Sequence, residues 1–304
     1  MRNLLIVGCG DVVRRALPML ARRWRIIALV RRRDQSLADA GVIQIVGDLD
    51  QRHSLRRLAG LADAVIHSAP PPGNGNNDPR TKRLLAALEA RRKRPARLVY
   101  ISTTGVYGDC AGAMIDETYP CRPVSARAIR RIDAEQRLRA WGRGVRSGHP
   151  GLPGKPGRGV VILRAPGIYA ADRLPLERLH KRLPLLLAHE DSHTNHIHAE
   201  DLAMACVRAL SRGGNNRCYN ICDDSALPMG EWFDLLADHH GLEKAPRVTR
   251  AEAERLLPAM QWSFMRESRR LRNERMKREL RLALRYPTVA AGIAAATRPL
   301  KEDC

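Results

Sequence analysis

Short apolar runs alternate with helical patterns through the first half of the chain. Leu4-Leu5-Ile6-Val7 has no polar interruption and reads as a strand buried on both faces. Residues 11–22 then place Val12, Val13, Ala16, Leu17 and Leu20 on one helical face. Further strands are predicted at Arg25–Val30, Val42–Val46, Ala64–His67 and Arg97–Ile101, with helices near 51–60 and 79–92. Strand-length apolar runs separated by helices predict a parallel sheet covered on both faces.

Right-handed crossovers wind such a sheet in both directions, so the fold class is α/β, a Rossmann-type doubly wound parallel sheet. A long helix is predicted from Ser125 as N-cap to about Trp141, followed by a strand at Val160–Leu163. Between them, 142–159 holds too much Gly and Pro for helix or strand and reads as a mobile surface insertion. Another strand is predicted at Arg217–Ile221. The remainder reads as mostly helical. Residues 1–168 form the predicted sheet domain, to which 195–222 returns. Residues 169–304 form a smaller, mainly helical substrate lobe over the carboxyl ends of the strands, where ligands bind in open α/β sheets.

The 304 residues allow about two domains. Hydrophobic residues make up 44%, ordinary for a globular protein. The first residues carry too short an apolar run for a signal peptide, and no stretch reaches the roughly 18 apolar residues of a membrane span. A cytoplasmic protein with no membrane association is expected. Seven cysteines, at 9, 110, 121, 206, 218, 222 and 304, form no CxxC pair. They read as reduced and structural, with no metal site.

The net charge of +21 raises nucleic-acid binding as a possibility. Two features weigh against it. The arginines are spread along the whole chain, and aromatics are only 4%, which leaves little to stack on bases. A solvated basic surface explains the charge. Residues 266–281 alternate basic residues with Glu, a spacing that suits i,i+4 pairs on an exposed helix.

Gly8-Cys9-Gly10-Asp11-Val12 lies between the first strand and first helix. The first Gly makes the turn and the second lets backbone approach a pyrophosphate, while helix amides and dipole hold the anion. Val13 replaces the third Gly of the usual pattern. At the end of the second strand, where an acid would bind NAD ribose hydroxyls, stands Arg31-Arg32-Arg33, with Asp34 beyond it. Guanidinium groups suit a 2′-phosphate, so NADP is expected rather than NAD. Asp48 and Leu49 follow the third strand, placed for the adenine. Ser68-Ala69-Pro70 follows the fourth, placed over ribose and pyrophosphate.

The order of these motifs resembles the extended short-chain dehydrogenase/reductase superfamily, with its sugar-nucleotide epimerases and dehydratases. The resemblance continues in Tyr100-Ile101-Ser102-Thr103-Thr104-Gly105-Val106-Tyr107-Gly108, in Leu163-Arg164-Ala165-Pro166-Gly167-Ile168-Tyr169, and in Asn195-His196-Ile197-His198-Ala199-Glu200-Asp201. It ends with Arg275–Leu280 and Arg285-Tyr286-Pro287. It implies that Thr103, flanked by Ser102, orients a substrate oxygen, and that Pro166 and Gly167 lie beside the nicotinamide. It also implies a Tyr acid/base and a Lys four residues later. Those positions here hold Arg127 and Arg131. An arginine stays protonated and cannot shuttle a proton at neutral pH, though Arg131 could hold a ribose or phosphate. The departure points to the atypical, YeeZ-like branch.

Tyr107, Tyr169 and one of two histidines are candidates to replace the missing Tyr. His196 and His198 lie two apart on a short strand and are read as facing opposite sides. Asp201 reads as a helix cap. Basic residues Arg173, Arg178, His180, Lys181 and Arg182 suit an anionic small-molecule substrate. Three functions compete: an NADP-dependent oxidoreductase or epimerase on a carbonyl or sugar-like substrate, a non-catalytic NADP sensor, and a nucleic-acid-associated protein. Homo-oligomerisation is left open.

Overall fold

In a computed structural model, which describes residues 1–144 and 159–296, seven parallel strands form one sheet. They are β1 (Arg2–Val7), β2 (Trp24–Val30), β3 (Ile43–Val46), β4 (Ala64–His67), β5 (Arg97–Thr103), β6 (Gly159–Ala165) and β7 (Arg217–Asn220). Their spatial order is β3-β2-β1-β4-β5-β6-β7. The order reverses direction between β1 and β4, and the carboxyl ends of those strands diverge to leave a crevice. Strand β6 is buried at every position, as expected of a central strand covered on both faces.

Helices α1 (Asp11–Ala21), α2 (Gln35–Asp39), α3 (Pro79–Glu89) and α4 (Ala126–Gly142) connect the first strands. The stretch predicted as helix near 51–60 is a 3-10 helix over Arg52–Leu58. Ser125 caps α4 as expected, its hydroxyl accepting from the Ala128 amide. The Gly- and Pro-rich insertion lies, except for its two ends, outside the described residues.

Val12, Val13, Ala16, Leu17 and Leu20 of α1 are buried against one face of the sheet, with Leu4 and Ile6 of β1 and the apolar side of α6 (Ala199–Arg212). The opposite face is covered by Leu84, Leu85 and Leu88 of α3 and by Ala134, Leu138 and Trp141 of α4. A third cluster lies off the sheet. It joins α5 (Leu176–His180), α7 (Met229–His240), α8 (Arg250–Leu256), α9 (Ala259–Met265) and α11 (Val289–Ala296). A short parallel ribbon, Gly167–Tyr169 beside His196–His198, links this helical region to the end of β6.

The segment 266–281 is not the continuous helix its charge spacing suggested. Arg270–Leu271 pairs with Met114–Ile115, and only Glu274–Glu279 (α10) is helical. Two of its charges find distant partners. Glu279 pairs with Arg217 of β7, and Arg275 with the buried carboxylate of Glu117. Nor does Asp201 cap α6. The cap is His198, whose Nδ1 accepts from the Glu200 amide. Asp201 accepts from the Arg285 and Tyr286 amides.

One buried ion pair fixes α4 to the sheet. Arg164 of β6 holds Glu135 of α4 through two nitrogens, at 3.1 and 2.7 Å, and the Ser102 hydroxyl donates to the same carboxylate at 2.6 Å. Both side chains of the pair are at most 4% exposed. Removing one partner of such a pair strands a buried charge. Glu135→Ala should therefore cost about 3–5 kcal/mol of unfolding free energy in urea. A loss below about 1 kcal/mol would show that the pair does not anchor α4.

Candidate functional site

The crevice at the switch point is a cleft of about 1210 Å³. Its floor begins at Gly8, which has φ +90°. A Cβ there would stand 2.3 Å from the Ala69 amide nitrogen, so only glycine lets the β1 and β4 loops close against each other. The Ser68 and Ala69 amides donate to the Val7 carbonyl, and the Ser68 hydroxyl donates to the Gly8 carbonyl. Gly10 is different. It sits at the N-cap of α1, and a Cβ would meet nothing within 4 Å. No side chain caps the α1 amides there, so this end of the helix offers unpaired donors to the cleft.

Val13 does not block the bend. It is 1% exposed and lies in the core beneath α1. The Asp11 carboxylate at the same end is matched by Arg15 at 2.9 Å and Arg173 at 2.7 Å. These cations offset the charge that would oppose an anion. The chain's own groups thus fit a dinucleotide pyrophosphate: room at Gly10, free amides, and a neutralised Asp11.

The cleft walls bring together Gly8, Cys9, Gly10, Asp11, Val12, Arg31, Arg32, Asp48, Leu49, Ser68, Ala69, Pro70, Ser102, Thr103, Arg131 and Pro166. Gly167 lies outside these walls, in a neighbouring cavity. At the far end of β2, Arg31 and Arg32 are exposed. Among the described residues neither has an acid within ion-pair distance. Asp34 is committed elsewhere: its carboxylate accepts from Arg14, the Ser36 hydroxyl and the Leu37 amide. These partners hold its pKa down at about 2. Arg80, which the sequence reading passed over, pairs with Asp50 at 2.6 Å and donates to the Pro70 carbonyl at 3.1 Å. Its place in the first turn of α3 carries no motif that would have singled it out.

At the opposite end, Thr103 closes β5. Its oxygen accepts from the Gly105 amide at 3.2 Å, which leaves the hydroxyl hydrogen free. Ser102 is less available, since its hydroxyl already donates to Glu135. Arg131 is pinned from beneath. Its Nη1 donates to the Tyr100 hydroxyl and the Ile101 carbonyl, both at 2.9 Å. Arg127, one helical turn earlier, also lines the cleft. Its guanidinium lies over the Phe264 ring at 4.1 Å. Burial lowers the Arg127 pKa, yet an arginine remains charged at neutral pH.

Three candidates for the missing proton donor are placed elsewhere. Tyr107 is fully buried and donates to Asn220 Oδ1 at 2.7 Å. Tyr169 points away from the cleft and donates to the Thr288 carbonyl at 3.3 Å, with its ring against Gly292 of α11. Burial raises the pKa of both. His196 is buried against Trp232, with ring centroids 4.3 Å apart. Desolvation pushes its pKa down to about 3, so at pH 7 the ring is neutral and cannot act as an imidazolium acid. The expectation that His196 and His198 face opposite ways is also wrong. Alternate residues of a strand share a face, and both rings stand against Tyr169, at 6.2 and 5.3 Å.

Comparison with known proteins agrees with this architecture. The sequence profile of the NAD dependent epimerase/dehydratase family matches residues 9–222. Protein YeeZ of Escherichia coli K12 is 26% identical over 80% of this chain and 85% of its own length. GDP-6-deoxy-D-mannose reductase of Pseudomonas aeruginosa is 28% identical over 64% and 71%. A conserved Silicibacter pomeroyi protein of known structure but unknown function superposes with TM-score 0.77 at 29% identity, covering 97% of this chain and 98% of that one. UDP-glucuronic acid 4-epimerase from Bacillus cereus, solved with NAD, shares the fold at TM-score 0.71 and 16% identity, covering 97% and 100%. With a family profile spanning most of its length and a cleft built on the matching glycine turn, the chain belongs to the NAD-dependent epimerase/dehydratase family.

Proposed function

We propose that the chain is an NADP-dependent oxidoreductase or epimerase acting on a carbonyl or sugar-like substrate that bears negative charge. The observation that carries the cofactor choice is at the tip of β2. Arg31 and Arg32 line the cleft without an acid in ion-pair distance among the described residues, while the acid that follows them in the chain, Asp34, is held by Arg14 and Ser36, and Asp50 is paired with Arg80. Two guanidinium groups there favour a 2′-phosphate and offer no acceptor to ribose hydroxyls. Asp48 and Leu49 bound the adenine end, and the α1 amides face the pyrophosphate.

When bound, the nicotinamide supplies a hydride donor or acceptor. Thr103 donates to the substrate oxygen through its free hydroxyl hydrogen. Arg131, clamped by Tyr100 and Ile101, presents fixed positive charge beside it. Arg127 adds a second cation at the position where the superfamily's acid/base Tyr belongs. Both stabilise an oxyanion or hold an anionic substituent of the substrate, and neither delivers a proton at neutral pH. An anionic substrate follows from this charge.

A second reading is favoured by one specific observation: no Tyr, His or Lys is among the described residues lining the cleft. A protein that binds NADP and reports its redox state without turnover needs no proton donor. Turnover separates the two. Oxidation of NADPH across a panel of aldehydes, ketones and oxo-acids, or epimerisation of a sugar-nucleotide panel by the NADP-loaded protein, supports the enzyme; micromolar NADPH binding with neither reaction removes it and leaves the sensor.

Two outcomes are expected. NADPH should bind roughly 10–100-fold more tightly than NADH, the worth of charge-assisted hydrogen bonds of about 1.5–3 kcal/mol. Arg31→Ala combined with Arg32→Ala should erase that ratio in a calorimetric titration while changing NADH affinity less than twofold. Equal affinities in the unaltered protein would sink the NADP assignment. In addition, restoring a titratable pair with Arg127→Tyr and Arg131→Lys should raise kcat on a simple aldehyde at least tenfold, since a positioned general acid contributes about 10²–10⁴. An unchanged kcat would show that proton delivery is not what the two arginines forgo.

A further inference from the structure

Beside the main cleft lies a second cavity of about 320 Å³. Its walls include Tyr169, Trp232, Phe233 and Phe264. The chain contains only two phenylalanines, and both are here. In a protein with 4% aromatic residues, this concentration marks the cavity as made for flat apolar groups. The cavities are contiguous. Ile168 and Arg173 line both, and Phe264 of the smaller one carries Arg127 of the larger against its ring.

Arg173, Arg178, Thr194, His196 and Gln261 interrupt the apolar wall, and two of them, His196 and Arg178, are incompletely satisfied. His196 is 5% exposed, and its Nδ1 has no hydrogen-bond partner among the described residues. Arg178 lies over Phe233 at 5.2 Å. Its Nη1 donates to Gln261 Oε1 and its Nη2 to the Pro184 carbonyl, both neutral acceptors, and its buried Nε–H has none. No carboxylate among the described residues lies within ion-pair distance of it. A largely desolvated guanidinium without a counter-charge is costly on its own and becomes favourable when an anion joins it.

From this geometry we infer that the smaller cavity seats the body of the substrate, an aromatic system of one or two fused rings bearing a carboxylate. The inference rests on the reading above, in which Thr103 marks the reacting end. The rings lie among Trp232, Phe233 and Phe264, the carboxylate meets Arg178, and the carbonyl passes the Arg127–Phe264 seam toward Thr103. Size agrees: a dry cavity of about 150 Å³ holds one benzene, so about 320 Å³ holds two fused rings. The broad faces of Trp232, Phe233 and Phe264 favour a flat apolar ring over a hydroxyl-rich one.

The test is a calorimetric titration of the full chain with 2-naphthoate, 2-naphthalenemethanol and UDP-glucose, each with and without NADPH. The carboxylate should bind at least tenfold more tightly than the neutral alcohol. Arg178→Gln should abolish that difference. Phe264→Ala, at a half-exposed position where the fold tolerates truncation, should weaken both aryl probes at least fivefold. NADPH affinity should stay within twofold in both variants, which shows that they are folded. The inference falls if 2-naphthoate fails to bind at millimolar concentration, if neither variant alters its affinity, or if UDP-glucose binds and displaces it. If 2-naphthoate binds and responds to both variants while NADPH does not bind the unaltered protein, the cavity assignment stands and the dinucleotide reading fails.

Discussion

The cleft depends on a contact between two backbones. Gly8 turns with positive φ and lies so close to Ser68 and Ala69 that no side chain can be inserted. That contact joins the ends of β1 and β4, the strands between which the sheet order reverses. It also sets where α1 starts, and so where its uncapped amides point. Everything proposed about anion binding follows from this steric constraint, because a wider loop would carry the helix end away from the crevice.

At the other end of the cleft, charge takes over from steric fit. Arg127 and Arg131 stand one turn apart on α4, a helix anchored by the buried Glu135–Arg164 pair. Tyr100 and Ile101 fix Arg131, and Phe264 supports Arg127. The site is therefore rich in permanent positive charge and poor in groups that titrate near neutrality. It is suited to holding electron-rich oxygen, and the aromatic cavity beside it extends that preference to a flat anionic partner.

The sheet was legible in the sequence because its strands are nearly continuous apolar runs, such as Leu4–Val7 and Val160–Leu163, bounded by turn residues. The glycine turn and the Ser125 cap were legible for the same local reason. Long-range partnerships were not. Glu279 and Arg275 looked like members of one exposed helix, whereas their partners are Arg217 and Glu117. Asp201 carried the signature of a cap, but Arg285 and Tyr286, more than 80 positions away, supply two amides that local pattern cannot reveal. Most cleft residues were named from motif order alone. Tyr169, His196 and Gly167 line the neighbouring cavity instead, on a short ribbon that packs against Trp232, a residue far away in sequence. The meeting of Arg127 with Phe264 spans 137 positions and leaves no local trace.

The anchoring of Arg285 and Tyr286 on Asp201 has a mechanical consequence. The chain passes between the sheet and the helical region after β6, again at the His196–His198 ribbon, again after β7, and once more where residues 285–289 lead from Asp201 to α11. Each of these connections restrains the swing of one body against the other. The stacked guanidinium and phenyl ring lie where the two cavities adjoin, so a molecule that reaches from one into the other passes this pair.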